Sequence, residues 1–208
     1  MSILFATPCY GGMVTAPHFN SCLQLKEELL KQGLEHDWLT GTNESLVHRA
    51  RMEMVATFLE TKHTHLMFLD ADLEFDPADV AKIWNLNADI GVGVYAMKKR
   101  DAQWYAAWHK GELVKDLDQF KEPIEVDYAG TGFMMIRRDV IETLAKLCGS
   151  YEGNGGRRVP ALFLTPIWQD GLESEDYHFC RIARQSGYKV IMDPSVRLKH
   201  WGMYPYGA

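Results

Sequence analysis

Leu66-Met67-Phe68-Leu69-Asp70-Ala71-Asp72 decides how this chain is read. Four apolar residues run directly into two carboxylates at i and i+2. That is the pattern of a buried strand with two acids at its carboxyl end. In an open α/β sheet, ligands bind beyond that end. Two carboxylates this close repel each other unless a cation lies between them. A hard divalent cation with oxygen ligands, Mg²⁺ or Mn²⁺, meets the need and keeps coordination positions free for phosphate oxygens. A metal that holds a phosphorylated substrate is therefore the first expectation. The competing reading is structural. Asp76-Pro77-Ala78-Asp79 has the form of a helix start, with Asp76 as N-cap and Pro77 in the first turn. Some of the acids at 70, 72, 74, 76 and 79 would then simply favour that N-terminus.

On either side of this stretch, strand and helix patterns alternate. Residues 2–7 read as a buried strand, followed by a loop from Pro8 to Gly12. A helix is expected from Pro17 to about Lys31, with Phe19, Cys22, Leu23, Leu29 and Leu30 near one face and Gly33 as its stop. Residues 34–39 read as a second strand, and Gly41-Thr42-Asn43-Glu44 as a polar loop. From Ser45 to Glu60, Leu46, Val47, Ala50, Met54, Val55, Phe58 and Leu59 recur at helical spacing. After the acids come a helix over about 77–86 and a strand over 89–95. Such alternation implies an α/β fold: a mostly parallel central sheet with helices on its faces.

The second half is mixed. Residues 100–128 are aromatic, with Trp104, Tyr105 and Trp108, and read as short strands and loops. Gly130-Thr131-Gly132-Phe133-Met134-Met135-Ile136 reads as a strand entered through glycines, and Asp139 to Leu147 as a helix. Gly149 to Arg158 holds four glycines and two arginines and reads as a mobile loop. Ser174 is placed to cap a helix that runs to about Ser186, with Gly187 as its stop and a strand at 188–192.

Size and charge narrow the classes. The 208 residues fit one domain, with 47% hydrophobic and 24% charged residues, enough for a full core. A net charge of −6 argues against a nucleic-acid partner, which leaves a basic footprint. Cys9, Cys22, Cys148 and Cys180 form no C-x-x-C pair, so neither a zinc ribbon nor a redox dithiol is indicated, and reduced thiols in a cytoplasmic setting are expected. No apolar run approaches the ~18 residues of a membrane span. Met1 to Phe5 enters a strand without the basic region of a signal peptide. Tyr204 to Ala208 supplies no closing element, as expected of one domain of a longer polypeptide.

Several clusters carry chemical promise. Glu173-Ser174-Glu175-Asp176 opens a helix, where acids are favoured by the dipole but can also serve as a general base. His200 would be a third ligand for a metal at Asp70 or Asp72. Arg49 and Arg51 lie on the helix before the acidic strand, within reach of a diphosphate; the plain alternative is an Arg49–Glu53 pair on a solvated face. Lys98-Lys99-Arg100 follow a strand at its carboxyl end. Trp104, Trp108 and Trp168 are candidates for stacking on sugars or for core packing.

Taken in order, these segments resemble one family, the nucleotide-sugar-dependent glycosyltransferases of the GT-A fold. The resemblance covers nearly all of the chain. It rests on Ala6-Thr7-Pro8, Arg49-Ala50-Arg51, Phe68 to Asp72, Gly93-Val94-Tyr95, Gly130-Thr131-Gly132-Phe133, Glu175 to Cys180, Asp193-Pro194 and His200-Trp201-Gly202. The chain is also similar to the amino-terminal glycosyltransferase domain of large algal-virus enzymes that glycosylate capsid proteins, for which a host cytoplasm would be the setting. The resemblance implies a Rossmann-like GT-A domain, with residues 1–100 as the nucleotide half and 101–208 as the sugar and acceptor half. It implies transfer of a hexose-type sugar from a UDP-sugar to a glycan or glycoprotein hydroxyl, with Mn²⁺ or Mg²⁺ bridging the diphosphate. Thr7, Pro8 and Tyr10 then match the loop around base and ribose, and Arg49 a basic residue near the nucleotide. Asp72 matches the direct metal ligand, Asp70 a contact to ribose or metal, and His200 a late histidine ligand. Ala71, Tyr95, Lys98, Gly130 and Gly132 fall among the nucleotide-sugar contacts. Asp176 matches the base of inverting members, with Glu175 and Glu173 as competitors, so the stereochemical outcome stays open.

Two rivals remain at this stage. A phosphatase of the haloacid dehalogenase type also uses Asp-x-Asp at a strand end, but on its first strand and with Thr or Val where this chain has Glu74. A non-catalytic nucleotide- or glycan-binding module would share the fold without the reaction.

Overall fold

The computed structural model describes residues 2–99, 104–202 and 205–206, so Arg100 lies outside the described residues. The first half contains β1 (Ser2–Cys9), α1 (Ala16–Lys31), β2 (Glu35–Thr42), α2 (Val47–Glu60), β3 (His65–Leu69), β4 (Leu73–Glu74), α3 (Pro77–Asn85) and β5 (Ile90–Val92). The second half contains β6 (Ala107–His109), β7 (Glu112–Leu113), β8 (Ile124–Glu125), β9 (Tyr128–Ala129), β10 (Phe133–Arg137) and α4 (Arg138–Leu147). They are followed by β11 (Ser150–Glu152), β12 (Arg158–Pro160), β13 (Ile167–Trp168), β14 (Gly171–Leu172), α5 (Glu175–Gln185), β15 (Val190–Met192), β16 (Lys199–Trp201) and β17 (Pro205–Tyr206).

Seven strands form the central sheet in the order β2-β1-β3-β10-β5-β15-β8. β2, β1 and β3 are parallel, β10 is antiparallel to both β3 and β5, β15 is parallel to β5, and β8 is antiparallel to β15. The strand read from Leu66 to Leu69 sits near the middle, fully buried. Its side chains alternate as strand geometry requires. Leu66 and Phe68 join the core beneath α2, α4 and α5, whereas Met67 and Leu69 join the core beneath α1 and α3. Helices on both faces explain why this strand is continuously apolar.

This topology gathers the chemistry at one edge. Tyr10 follows β1, Asp70 follows β3 and Lys98 follows β5, all at carboxyl ends of parallel strands. Because β10 runs the other way, its amino end brings Gly130 and Gly132 to the same edge. A helix leading into a parallel strand starts at that edge too, which places the first turns of α2 and α5 beside the acids.

Several local expectations are corrected. The buried side of α1 is His18, Ser21, Leu25 and Leu29, while Phe19, Leu23 and Leu30 are exposed. An apolar count misses His18 and Ser21, whose polar atoms bond to the carbonyls of Leu73 and Phe75 (3.1 and 2.7 Å). Leu46 and Val47 lie exposed at the start of α2. Between 149 and 158, where a mobile loop was expected, β11 and β12 pair as a hairpin whose Arg157 grips Glu53 (2.7 Å) and Thr57 (3.0 Å) on α2. Asp76 and Asp79 do cap α3, each side chain bonding to the other end of the box. The four cysteines are free. Among the described residues, no helix is long and apolar enough to cross a membrane.

Arg138 ties this frame together. Its guanidinium donates to the carbonyls of His63 (2.6 Å), Phe58 (3.1 Å) and Thr61 (3.1 Å) and lies 4.3 Å from the Phe58 ring centroid. It thus satisfies the open carbonyls at the end of α2 from the start of α4. Arg138→Ala is expected to cost about 2–3 kcal/mol, since hydrogen bonds from a charged group are the stronger kind. A fall in the urea midpoint equal to that cost divided by the slope, with the slope unchanged, checks it.

Candidate active site

The backbone of Asp70-Ala71-Asp72 is held from three directions. The Asp70 N–H donates to Gly132 O (2.8 Å), Ala71 O accepts from Thr15 N–H (2.9 Å), and Asp72 O accepts from Trp201 N–H (2.8 Å). The two aspartates point at different partners. Asp70 accepts from Arg51 Nη2 through both carboxylate oxygens (2.9 and 3.1 Å). Asp72 accepts from Lys98 Nζ at 2.5 Å, and its other oxygen lies 3.5 Å from His200 Nε2.

Asp72 is held strongly ionised. Burial pushes its carboxyl up, but hydrogen bonds and charge from His200 and Lys98 outweigh that and bring it down to about 2. His200 is oriented by its other nitrogen, which lies 2.9 Å from Ala96 O. A carbonyl only accepts, so Nδ1 donates to it, which leaves Nε2 as the atom that faces Asp72. A backbone carbonyl of this kind is a common outer partner of metal-binding histidines.

Arg51 is 4% exposed yet carries a full charge. Its Nη1 donates to Glu175 Oε1 at 2.6 Å, so one guanidinium spans Asp70 on β3 and Glu175 on α5. Burial alone would lower its pKa; the two carboxylates override that and raise it. Behind this clamp lies Tyr95, buried, its hydroxyl accepting from Gly132 N–H (3.3 Å) and its ring edge-on to His200. A side chain at Gly132 would stand 2.6 Å from Asp70 Oδ2, and one at Gly130 2.5 Å from the Tyr95 hydroxyl. Both positions therefore require glycine for close approach.

Asp176 is the freer acid of α5. Ser174 occupies the N-cap position, but instead of capping the helix its hydroxyl donates to Asp176, as does the Tyr177 N–H (2.9 Å). Burial raises the Asp176 pKa despite these bonds. Glu173, by contrast, is committed to Arg181 and His178.

Pro8, Tyr10, Met13, Val14, Thr15, Val47 and the stretch from Asp70 to Asp72 line a cleft of about 390 Å³. The structure thus brings Pro8, Tyr10, Asp70, Ala71 and Asp72 together, sets Lys98 and His200 on Asp72, and links Glu175 to Asp70. Thr7 is buried within β1 and Arg49 pairs with Glu44 (3.1 Å) on the outside of α2; neither lines the cleft. The bridging role of Arg51 and the exposed Met13, Val14 and Val47 escaped the sequence reading. Val47 fits the apolar spacing of α2 and is exposed as the first residue of the helix, so the sequence alone held no signal for its place at the cleft.

Among the described residues, no three His, Cys, Asp or Glu side chains converge as a ready metal cage. Asp72 and His200 supply two donors. Mg²⁺ and Mn²⁺ sites that serve phosphates often take only one or two protein ligands and complete their shell from substrate and water, so this pair fits such an ion.

No family model matches the sequence, and no curated protein does. Solved structures do match. A197 from STIV superposes with a TM-score of 0.64 at 23% identity, over 97% of this chain and 86% of that one. GalNAc-T7, solved with UDP, GalNAc and Mn²⁺, gives 0.51 at 14% identity, over 96% of this chain but only 43% of its own. A glycosyltransferase involved in glycosylation of the PBCV-1 major capsid gives 0.40 at 13% identity, over 69% of this chain, too distant to carry the closer kinship expected above. The fold is thus GT-A-like, and the likeness extends to fold alone.

Arg51→Met should cost about 3–5 kcal/mol, because it strands two half-buried carboxylates without a counter-ion. Gly132→Ala should destabilise by about 1–3 kcal/mol through overpacking. Gly149→Ala, where a Cβ meets nothing within 4 Å, is the control. Chemical denaturation of the three variants checks both values.

Proposed function

We propose that this chain transfers a hexose-type sugar from a UDP-sugar to a hydroxyl of a glycan or glycoprotein. The observation that carries the reading is Asp72 set between Lys98 and His200 at a cleft walled by Pro8, Tyr10 and Val47. An aromatic and apolar wall suits a nucleoside, and a cluster of cationic and metal-ligating groups beside it suits a diphosphate. The presence of UDP, GalNAc and Mn²⁺ in GalNAc-T7, a protein of the same fold, supports the donor class.

In this reading Pro8 and Tyr10 hold the base, backed by Thr7 from within β1, and Asp70 faces the ribose from its place on Arg51. Asp72 and His200 would hold Mn²⁺ or Mg²⁺, which when bound neutralises charge on the departing diphosphate. Lys98 adds a second cation, preorganised beside the same oxygens. Gly130, Gly132 and Tyr95 shape the floor under the sugar, and Arg49 lies further out along α2. The acceptor oxygen attacks the anomeric carbon, the bond from that carbon to the phosphate oxygen breaks, and the hydroxyl proton passes to Asp176. Glu175 is the weaker candidate for base because its carboxylate is spent on Arg51. A buried carboxylate with a raised pKa is also the better proton acceptor.

The short Lys98–Asp72 contact favours one second reading, in which the ammonium neutralises the diphosphate without a metal. Calorimetry of UDP binding separates them: loss of affinity in EDTA supports the metal, and undiminished affinity supports Lys98 alone. Asp72→Asn should weaken UDP binding at least tenfold under the metal reading; wild-type affinity in a folded variant would remove Asp72 from the site.

Asp176→Asn should leave UDP affinity unchanged and lower kcat by about 10²- to 10⁴-fold, the usual worth of a general base. The base must be ionised, so wild-type kcat/KM should fall as pH drops through a pKa above the ordinary aspartate range. An acid limb that survives in Asp176→Asn would assign the titration to another group.

A further inference from the structure

The hairpin leading into α5 carries side chains that the site above leaves unused. β13 and β14 pair Ile167 with Leu172 and Trp168 with Gly171. Gln169 and Asp170 join them, both at positive φ (48° and 62°), as a two-residue turn of the kind that matches hairpin twist. Trp168 is 41% exposed, so it is no core residue.

Its indole is half-exposed and packs against a cation. The Arg181 guanidinium lies 3.8 Å from the ring centroid. Arg181 in turn donates through Nε and Nη2 to the two oxygens of Glu173, each at 2.8 Å. Glu173 is 8% exposed, and its N–H donates to Pro166 O (3.0 Å), which ties the base of the hairpin to the same residue. The ring is therefore oriented before any ligand arrives, which reduces the ordering cost of binding. Across the hairpin, Gly171 places no side chain beside it.

The surroundings discriminate between ligands. Strand alternation turns Ile167 and Leu172, 82% and 78% exposed, to the opposite face from Trp168. The indole is thus a half-exposed aromatic surface backed by the Arg181–Glu173 pair rather than part of a continuous apolar patch. An exposed aromatic face with a charged pair behind it, set apart from the apolar side chains of its hairpin, suits a pyranose, whose C–H face stacks on the ring while its hydroxyls stay in water. The hairpin continues through Glu173 and Ser174 to Asp176. We infer that Trp168 is the stacking platform for a pyranose unit of the acceptor, remote from the hydroxyl that Asp176 serves. The acceptor is then a molecule already bearing sugar. This rests on the transferase reading above.

The test uses the full chain with saturating UDP and a panel of immobilised mono- to tetrasaccharide pyranosides. The wild type should bind at least one member. Trp168→Ala should weaken that binding about five- to tenfold, the worth of an aromatic stack, and Trp168→Phe should retain most of it. Arg181→Met should weaken it as well, by freeing the ring. UDP affinity, measured in the same samples, should be unchanged in all three variants. The inference is overturned if the wild type binds no member, if Trp168→Ala binds like wild type, or if an apolar tetrapeptide binds through Ile167 and Leu172 instead. Absence of UDP binding by the wild type would sink the transferase reading separately, while leaving the glycan result to stand on its own.

Discussion

A guanidinium buried between two carboxylates holds this molecule's edge together. Arg51 sits on α2, Asp70 ends β3 and Glu175 opens α5, so one side chain joins three elements that are far apart in sequence. A charge this deep is tolerated only when it is paired and hydrogen-bonded, and here both conditions are met at the guanidinium ends. The same contact divides labour among the acids. Asp70 and Glu175 are spent on Arg51, whereas Asp72 meets Lys98 and His200, and Asp176 is held by Ser174 and the Tyr177 N–H. Four acids that look equivalent in sequence thereby acquire different partners. Among the described residues, the buried Arg51 Nε has no hydrogen-bond partner, so the two carboxylates meet the guanidinium only at its Nη atoms.

Much of the frame was legible because it obeys simple periodicities. The run from Leu66 to Leu69 is apolar on both faces because helices cover both, and the Asp76-Pro77-Asp79 cap is local chemistry. What resisted reading depends on long-range pairing. The insertion of β10 antiparallel between β3 and β5 leaves no local mark, yet it is what brings Gly132 against Asp70. His18 and Ser21 were invisible as core because their burial depends on carbonyls more than fifty residues away. Ser174 occupies its expected cap position, but its hydroxyl serves Asp176 rather than the helix backbone.

The candidate site shows the same division. Asp70, Asp72, Lys98 and His200 could be named from strand ends and order along the chain, since topology delivers strand ends to one edge. Which cation faces which acid could not. Arg49 and Arg51 are two residues apart on a helix, so they point in different directions. Only the packing of α2 against the sheet decides that Arg51 turns inward while Arg49 meets Glu44 outside. The Glu173–Arg181–Trp168 stack likewise unites a hairpin and a helix face that sequence spacing does not connect.

The central claim is that the cluster of Asp72, His200 and Lys98 receives a nucleoside diphosphate. Diffraction from crystals soaked with UDP and Mn²⁺, recorded at the manganese edge, tests it most directly. The account predicts an anomalous peak against Asp72 Oδ1 and His200 Nε2, diphosphate oxygens beside it, and the base against Tyr10. UDP bound elsewhere, or a manganese peak away from this pair, would contradict it.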